Sequence, residues 1–236
     1  MKQGSQQSAV RRQRVVFVTG TDTGVGKTVL TAWFTRCVRA LGTEAVALKP
    51  LCSGGRADAR ALHAASGGVL MLDEVNPWHF RAPLAPVLAA RKQGRGVRLG
   101  EVVACVRAVA RRFEFVLVEG AGGLLSPLGE GFDNRDLLMA LRARPIVVVP
   151  NRLGAVNQAR LVLRALPRSA RLQAVVVLVD QRAQDASART NATLLAELEP
   201  GVAICRLPWI AGTKTVTSLP ARAAKALDQV MKLLRA

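Results

Sequence analysis

Val15-Val16-Phe17-Val18-Thr19, then Gly20-Thr21-Asp22-Thr23-Gly24-Val25-Gly26-Lys27-Thr28, then Val29-Leu30-Thr31-Ala32-Trp33-Phe34. This stretch reads as a buried strand, a glycine-bearing loop closed by Gly-Lys-Thr, and the first turns of a helix. That order is the layout of a phosphate-binding P-loop. Glycines let the backbone come close to a phosphate, and amide N–H groups at a helix start point at the anion. In such a loop Lys27 brings a charge to the terminal phosphates and the Thr28 hydroxyl is a magnesium ligand. The general pattern spaces its first glycine four residues from Gly-Lys, whereas five residues separate Gly20 from Gly26. An ordinary flexible turn at Gly24–Gly26 is the competing reading. The hydrophobic strand before it and the periodic helix after it disfavour that alternative.

The chain has 236 residues, half of them hydrophobic, which suits one α/β domain with a sizeable core. Its formal net charge is +18, and only seven of its 34 basic residues are lysines. A nucleic-acid binder would group its arginines in a tail or on one face. Here they are spread over expected helices (Arg36, Arg39, Arg107, Arg111, Arg112, Arg142, Arg144, Arg160, Arg164), and there is no tyrosine for base stacking. The arginine excess therefore reads as a compositional bias on solvated faces, with no nucleic-acid partner. Cys37, Cys52, Cys105 and Cys205 lie far apart without CxxC spacing, which gives neither a disulfide framework nor a zinc site. The first 14 residues hold no apolar signal region, and no run reaches membrane-spanning length. The expectation is a cytoplasmic protein without a membrane partner.

Residues 1–13 are expected to form a disordered lead-in and 14–236 a single domain. Strands are expected at about 14–19, 44–48, 115–118, 145–149, 173–180 and 202–207, most of their residues apolar. Amphipathic helices alternate with them, including one from Asp136 to Ala143 and a closing one from Pro220 to Arg235. Residues 69–98, rich in proline, read as irregular apart from a short helix at Leu84–Arg91. Apolar strands alternating with amphipathic helices predict a mainly parallel sheet covered by helices on both faces. Ligands of such sheets bind at the carboxyl ends of the strands. Three polar loops follow strands there: Gly20–Thr28, Lys49–Gly54 and Glu119–Gly123. They are expected to converge on one rim.

A phosphoryl-transfer site needs cations around the phosphates and carboxylates for magnesium. Lys27 and Lys49 both sit directly beside a strand end. Glu119 ends an apolar strand, where an unpaired carboxylate would be costly, so it is a metal-ligand candidate. Asp58 opens an expected helix, and its position alone reads at least as well as a helix cap. Ser53 either contacts a phosphate or closes a turn. His63 and His79 share no ligand spacing with each other or with a cysteine.

Taken together, the motifs resemble those of the dethiobiotin synthetases, a family of P-loop NTPase fold. The resemblance rests on Gly20–Thr28, Lys49-Pro-Leu-Cys-Ser-Gly54, Asp58-Ala-Arg-Ala-Leu62, Asn76-Pro-Trp-His-Phe80, Glu119-Gly-Ala-Gly-Gly123 and Leu207-Pro-Trp209, in the family's order over roughly residues 14–210. The five-residue gap is that family's own spacing. The resemblance implies ATP-dependent carboxylation and ring closure of diaminopelargonate with carbon dioxide, drawn from bicarbonate, to give dethiobiotin, ADP and phosphate. It implies Mg2+, ATP as co-substrate, and a homodimer with substrate near the interface. Lys27, Lys49, Thr23 and Ser53 would serve catalysis. Thr21, Asp22, Gly24, Val25, Gly26, Lys27, Thr28, Glu119, Gly120, Ala121, Gly122, Gly123 and Pro208 would hold the nucleotide. Ser53, Gly154, Ala155, Val156 and Asn157 would take the substrate, and Thr28, Asp58 and Glu119 the metal. The chain departs from many relatives at Val179, where they carry an adenine-reading Asn, and at Ala85, Val87 and Gln158. These departures touch binding rather than phosphoryl transfer. A second reading is a ParA/MinD-like switch ATPase acting on DNA or membrane. Such proteins carry a lysine early in the loop, and Gly20–Gly26 contains none.

Overall fold

The computed structural model describes residues 14–211 and 219–235. The expected lead-in at 1–13 lies outside the described residues. The first half runs β1 (Arg14–Gly20), α1 (Lys27–Ala40), β2 (Ala45–Leu48), β3 (Leu51–Ser53), α2 (Ala57–Ala65), α3 (Leu72–Val75), β4 (Trp78–Phe80), α4 (Pro86–Lys92), α5 (Leu99–Ala110) and β5 (Phe115–Glu119). The second runs β6 (Pro127–Gly129), β7 (Phe132–Asp133), α6 (Asn134–Leu141), β8 (Arg144–Asn151), α7 (Ala155–Ala165), α8 (Arg168–Leu172), β9 (Val175–Asp180), α9 (Asn191–Leu198), β10 (Ala203–Leu207) and α10 (Ala221–Arg235).

Six strands form one sheet in the order β10-β9-β8-β1-β5-β2. Every pairing in it is parallel. β1, β5 and β8 are buried on both faces, which explains why their sequences are continuous apolar runs without alternation. α1 packs on α2 and α10, whereas α5 packs on α6 and α7 on α9. Right-handed crossovers account for that division, because the chain moves one way along the sheet after β1 and the other way after β5 and β8. The loop after β1 and those after its neighbours therefore diverge to opposite faces. A crevice opens at the carboxyl end of β1, the switch point where such sheets bind ligands. No helix among the described residues is long and apolar enough to cross a membrane.

Several expectations shift. Residues 69–98 hold more order than composition suggests: β4 pairs with β3 in a small parallel sheet that includes Cys52↔His79. Three-residue strands are too short to show a period, so sequence patterning misses them. α6 begins at Asn134 and ends at Leu141, because Asp133 caps it by accepting from the Asp136 amide and Arg142 closes it at φ 52. Arg144 is then not a solvated helix residue. It opens β8, and its guanidinium donates to the carbonyls of Leu233 and Leu234, capping the carboxyl end of α10.

Candidate active site

β1 delivers Gly20 to the carboxyl rim of the sheet, and the loop folds over it closely. A methyl group on Gly20 would lie 2.7 Å from Val25 Cγ2, so only glycine fits. Gly26 stands at φ +99 immediately before α1, a left-handed conformation that strains any larger residue. α1 starts with neither a side-chain cap nor an acidic residue in its first turn. Its positive end is thus presented to an anion in the loop.

Lys27, the first residue of α1, is buried, and its Nζ donates to the Asp22 carbonyl at 2.6 Å. Burial pulls its pKa down to about 8, with Glu119 opposing the fall. Lys49 comes from the other direction. The register sets Leu48 opposite Val118, so the residue after β2 is brought alongside Glu119 at the end of β5. Lys49 Nζ donates to Glu119 Oε1 at 2.6 Å and to Asp58 Oδ2 at 2.8 Å. Thr28 Oγ1 donates to the same Glu119 oxygen at 2.7 Å. Burial would lower the Lys49 pKa too, but Glu119 and Asp58 together outweigh it and hold the group above the usual lysine range. The two lysines are therefore burdened and supported, respectively, by the same rim. Glu119 is 1% exposed, and its second oxygen, Oε2, has no hydrogen-bond partner among the described residues.

The three polar loops converge as expected. The Asp58 ambiguity resolves as well: the residue preceding α2 is Arg56, without a side-chain cap bond, and the Asp58 carboxylate is engaged by Lys49. A cavity of about 480 Å³ opens beside this pair, with Thr23, Ser53, Cys52 and Ala85 in its wall. The loop Gly120–Gly123 forms another wall through Ala121 and Gly122. Asn134 pins that loop, donating from Nδ2 to the carbonyls of Ala121 and Gly123, both at 2.7 Å. Nothing in the sequence singles out Asn134, because its partners lie on a loop whose path the sequence does not show.

Gly24, Val25, Gly26 and Pro208 line a separate slot of about 130 Å³ with Val179 and Trp209. Asp180 borders this slot, but its carboxylate is taken by Arg206 Nε at 2.7 and 3.0 Å and by Asn151 Nδ2 at 2.8 Å. Thr21 and Asp22 face a third cavity, of about 470 Å³, beside Leu125 and Leu161. Gly154, Ala155, Val156 and Asn157 start α7 and do not line the Lys49 cavity.

The depressed Lys27 pKa has a measurable consequence. A lysine whose folded pKa lies near 8, below its unfolded value of 10.5, costs stability wherever both states are charged, and that cost fades as pH rises between the two values. Lys27→Met keeps the stem without the charge. In urea melts of the ligand-free protein, the variant should be more stable than the parent by about 3 kcal/mol at pH 7. That advantage should shrink steadily from pH 8 to 10.5. A gap that stays constant with pH would show that Lys27 is not desolvated.

The fold and the loop together define a P-loop nucleoside-triphosphate-binding protein. A family model described as an AAA domain matches residues 14–217. The ATP-dependent dethiobiotin synthetase of Anaeromyxobacter dehalogenans (strain 2CP-C) is 45% identical over 201 residues, covering 83% of this chain and 90% of that protein. Its counterpart in Anaeromyxobacter sp. (strain Fw109-5) is 44% identical over 202 residues, covering 84% and 91%. The chain belongs to the dethiobiotin synthetase family. Among solved structures, the MinD cell division protein of Aquifex aeolicus matches with a TM-score of 0.60 at 16% identity, over 94% of this chain and 97% of that one. That likeness is one of fold alone.

Proposed function

We propose that the protein carboxylates diaminopelargonate and closes the ureido ring of dethiobiotin at the expense of ATP. The observation that carries this reading is the placement of Lys49 Nζ. It lies between Asp58 and Glu119, beside a cavity large enough for a small diamine, and shares the Glu119 carboxylate with Thr28 of the phosphate loop. One amine of the substrate adds carbon dioxide and becomes a carbamate. A carbamate oxygen attacks the γ-phosphorus and ADP leaves. The second amine then attacks the carbonyl carbon of the mixed anhydride, loses a proton and expels phosphate.

In this scheme Lys27 and the amides at the start of α1 bear on the phosphates. Lys49 bears on the carbamate and the phosphoryl group in flight, with the Thr23 and Ser53 hydroxyls at the same wall. Fixed cations aimed at developing charge are the main means by which such sites lower a barrier. Thr28, Asp58 and Glu119 supply oxygen ligands of the kind Mg2+ takes, and the unpartnered Glu119 Oε2 is a buried acceptor suited to a cation. No cluster of three or more acidic, histidine or cysteine side chains exists among the described residues. A magnesium ion held at these oxygens would complete its shell with phosphate oxygens and water. When bound, it would neutralise charge on the β- and γ-phosphates.

We also propose a homodimer. Leu125 and Leu161, 56% and 63% exposed, line the cavity that Thr21 and Asp22 face, and Leu153, 80% exposed, directly precedes Gly154 at the start of α7. A second copy covering them would bring the start of α7 toward its partner's cavity, where the amides of Gly154, Val156 and Asn157 suit a carboxylate, that of Ala155 being taken by the Arg152 carbonyl. The reading is tested by incubating the protein with Mg-ATP, bicarbonate and diaminopelargonate. Dethiobiotin is expected by mass, with ADP release requiring both the diamine and bicarbonate and the enzyme sedimenting as a dimer. ATP hydrolysis that ignores the diamine but responds to DNA or lipid would replace this reading with the switch-ATPase one.

A further inference from the structure

The Lys49–Asp58 contact joins the residue after β2 to the start of α2 across β3, Gly54 and Gly55. That connection is tied at Gly54, whose amide donates to the Phe80 carbonyl and whose carbonyl meets His79 Nε2 at 2.7 Å, and at Gly55, whose carbonyl accepts from Cys52 Sγ at 3.1 Å. None of these bonds engages the backbone of Lys49 or the start of α2; a second set does.

Asn76, 1% exposed, stands across from Lys49 and donates from Nδ2 to the Lys49 carbonyl at 2.8 Å and to the Pro50 carbonyl at 3.4 Å. The Lys49 amide in turn donates to the carbonyl of Val75, the neighbour of Asn76. The lysine backbone is thus tied on both sides to the segment 75–76. Asn76 spends its remaining acceptor, Oδ1, on Arg56 Nε at 3.1 Å. The same guanidinium donates from Nη2 to the Asn76 carbonyl at 3.0 Å, to Asp73 Oδ1 at 2.7 Å and to the Leu72 carbonyl at 3.4 Å. Arg56 immediately precedes α2, so Asp58 lies two residues from it on the helix that Arg56 begins. One planar fork therefore connects the helix that carries Asp58 to the amide that holds Lys49.

We propose that Arg56 and Asn76 are positioning residues for the reaction, a clamp that sets the Lys49–Asp58 separation. The proposal rests on the dethiobiotin-forming reading above. Glu119 needs no such clamp, because β5 and its register with β1 and β2 already fix it. Loosening Arg56 should therefore open Lys49–Asp58 while leaving Lys49–Glu119 in place. Lysine cannot substitute, because a point charge does not span an amide oxygen, a carbonyl and a carboxylate at once.

The test is a double-mutant cycle on the full chain. Arg56→Ala and Arg56→Lys are each expected to lower kcat roughly 10- to 100-fold, as loss of such a supporting contact does, with the KM for ATP within about twofold. In an Asp58→Ala background, Arg56→Ala should add less than about twofold, since no separation is left to set. A crystal structure of either Arg56 variant should show Lys49 Nζ beyond about 3.5 Å from Asp58 but still on Glu119. Losses that multiply in the cycle, full rescue by Arg56→Lys, or turnover within twofold of the parent would each overturn the clamp. So would a variant structure with both Lys49 contacts intact, whatever the activity. Failure of the parent protein to make dethiobiotin is a separate result, because it removes the function reading and leaves the crystallographic arm standing.

Discussion

Lys49→Ala is expected to lose turnover by roughly 100- to 1,000-fold, the usual loss when one fixed electrostatic group is removed from a dry site. It should also lose stability. Lys49 Nζ serves two carboxylates, and one of them, Glu119, is 1% exposed. Truncating the lysine leaves Glu119 with Thr28 as its only hydrogen-bond donor among the described residues. Stranding a buried charge in this way costs about 3–5 kcal/mol. A second change isolates the loss of stability. Adding Glu119→Gln to Lys49→Ala removes the stranded charge, so the melting temperature should recover, while turnover stays low because Glu119 is itself a proposed magnesium ligand. Full turnover in Lys49→Ala would remove the lysine from the mechanism. Recovery of turnover together with stability would make its role structural only.

Lys27→Met is expected to lose turnover on the same scale, roughly 100-fold or more, and to weaken ATP binding in equilibrium titrations. Its effect on the ligand-free fold should have the opposite sign. Burial depresses the Lys27 pKa to about 8, whereas the neighbouring carboxylates hold Lys49 above its ordinary range. One ammonium is held against its hydration, the other is supported by its partners. Removing the first should raise the melting temperature of the empty protein, and removing the second should lower it. The proposed role of Lys27 gives a physical reason for keeping a destabilising charge: bound phosphates would supply the missing counter-charge. ATP should accordingly stabilise the parent strongly and Lys27→Met weakly. Equal stabilisation of both by ATP would show that Lys27 does not meet the phosphates.

Much of the site could be read from local sequence, because local geometry creates it. Gly20–Thr28 needs only a strand, glycines at a close approach and a positive φ, and a helix start, and each leaves its mark within a few residues. Lys49 and Glu119 were legible for a related reason: a charged residue at the end of an apolar strand has little reason to be there unless the rim uses it. The comparison with relatives bears out the family. The fold expected from apolar strands alternating with amphipathic helices is likewise the fold observed, down to the parallel sheet.

Other features depended on which distant segments meet. Asp58 read equally well as a helix cap until Arg56 was seen to take the position before α2 and Lys49 to take the carboxylate. Arg144 read as one more surface arginine, because a sequence does not show that the end of α10 passes over the start of β8. Asn134 and Asn76 are ordinary polar residues until their amides are found on the carbonyls of the two loops that form the site.

The sequence by itself determined the phosphate loop, the parallel sheet and which strand ends carry charge, since these follow from backbone sterics and the pattern of apolar residues. Only the tertiary structure decided how Lys49 is shared between Asp58 and Glu119, why the two lysines differ in proton affinity, and what holds the glycine-linked segments in place. Those properties come from burial and from hydrogen bonds between residues far apart in the chain, and they exist only once the chain has folded.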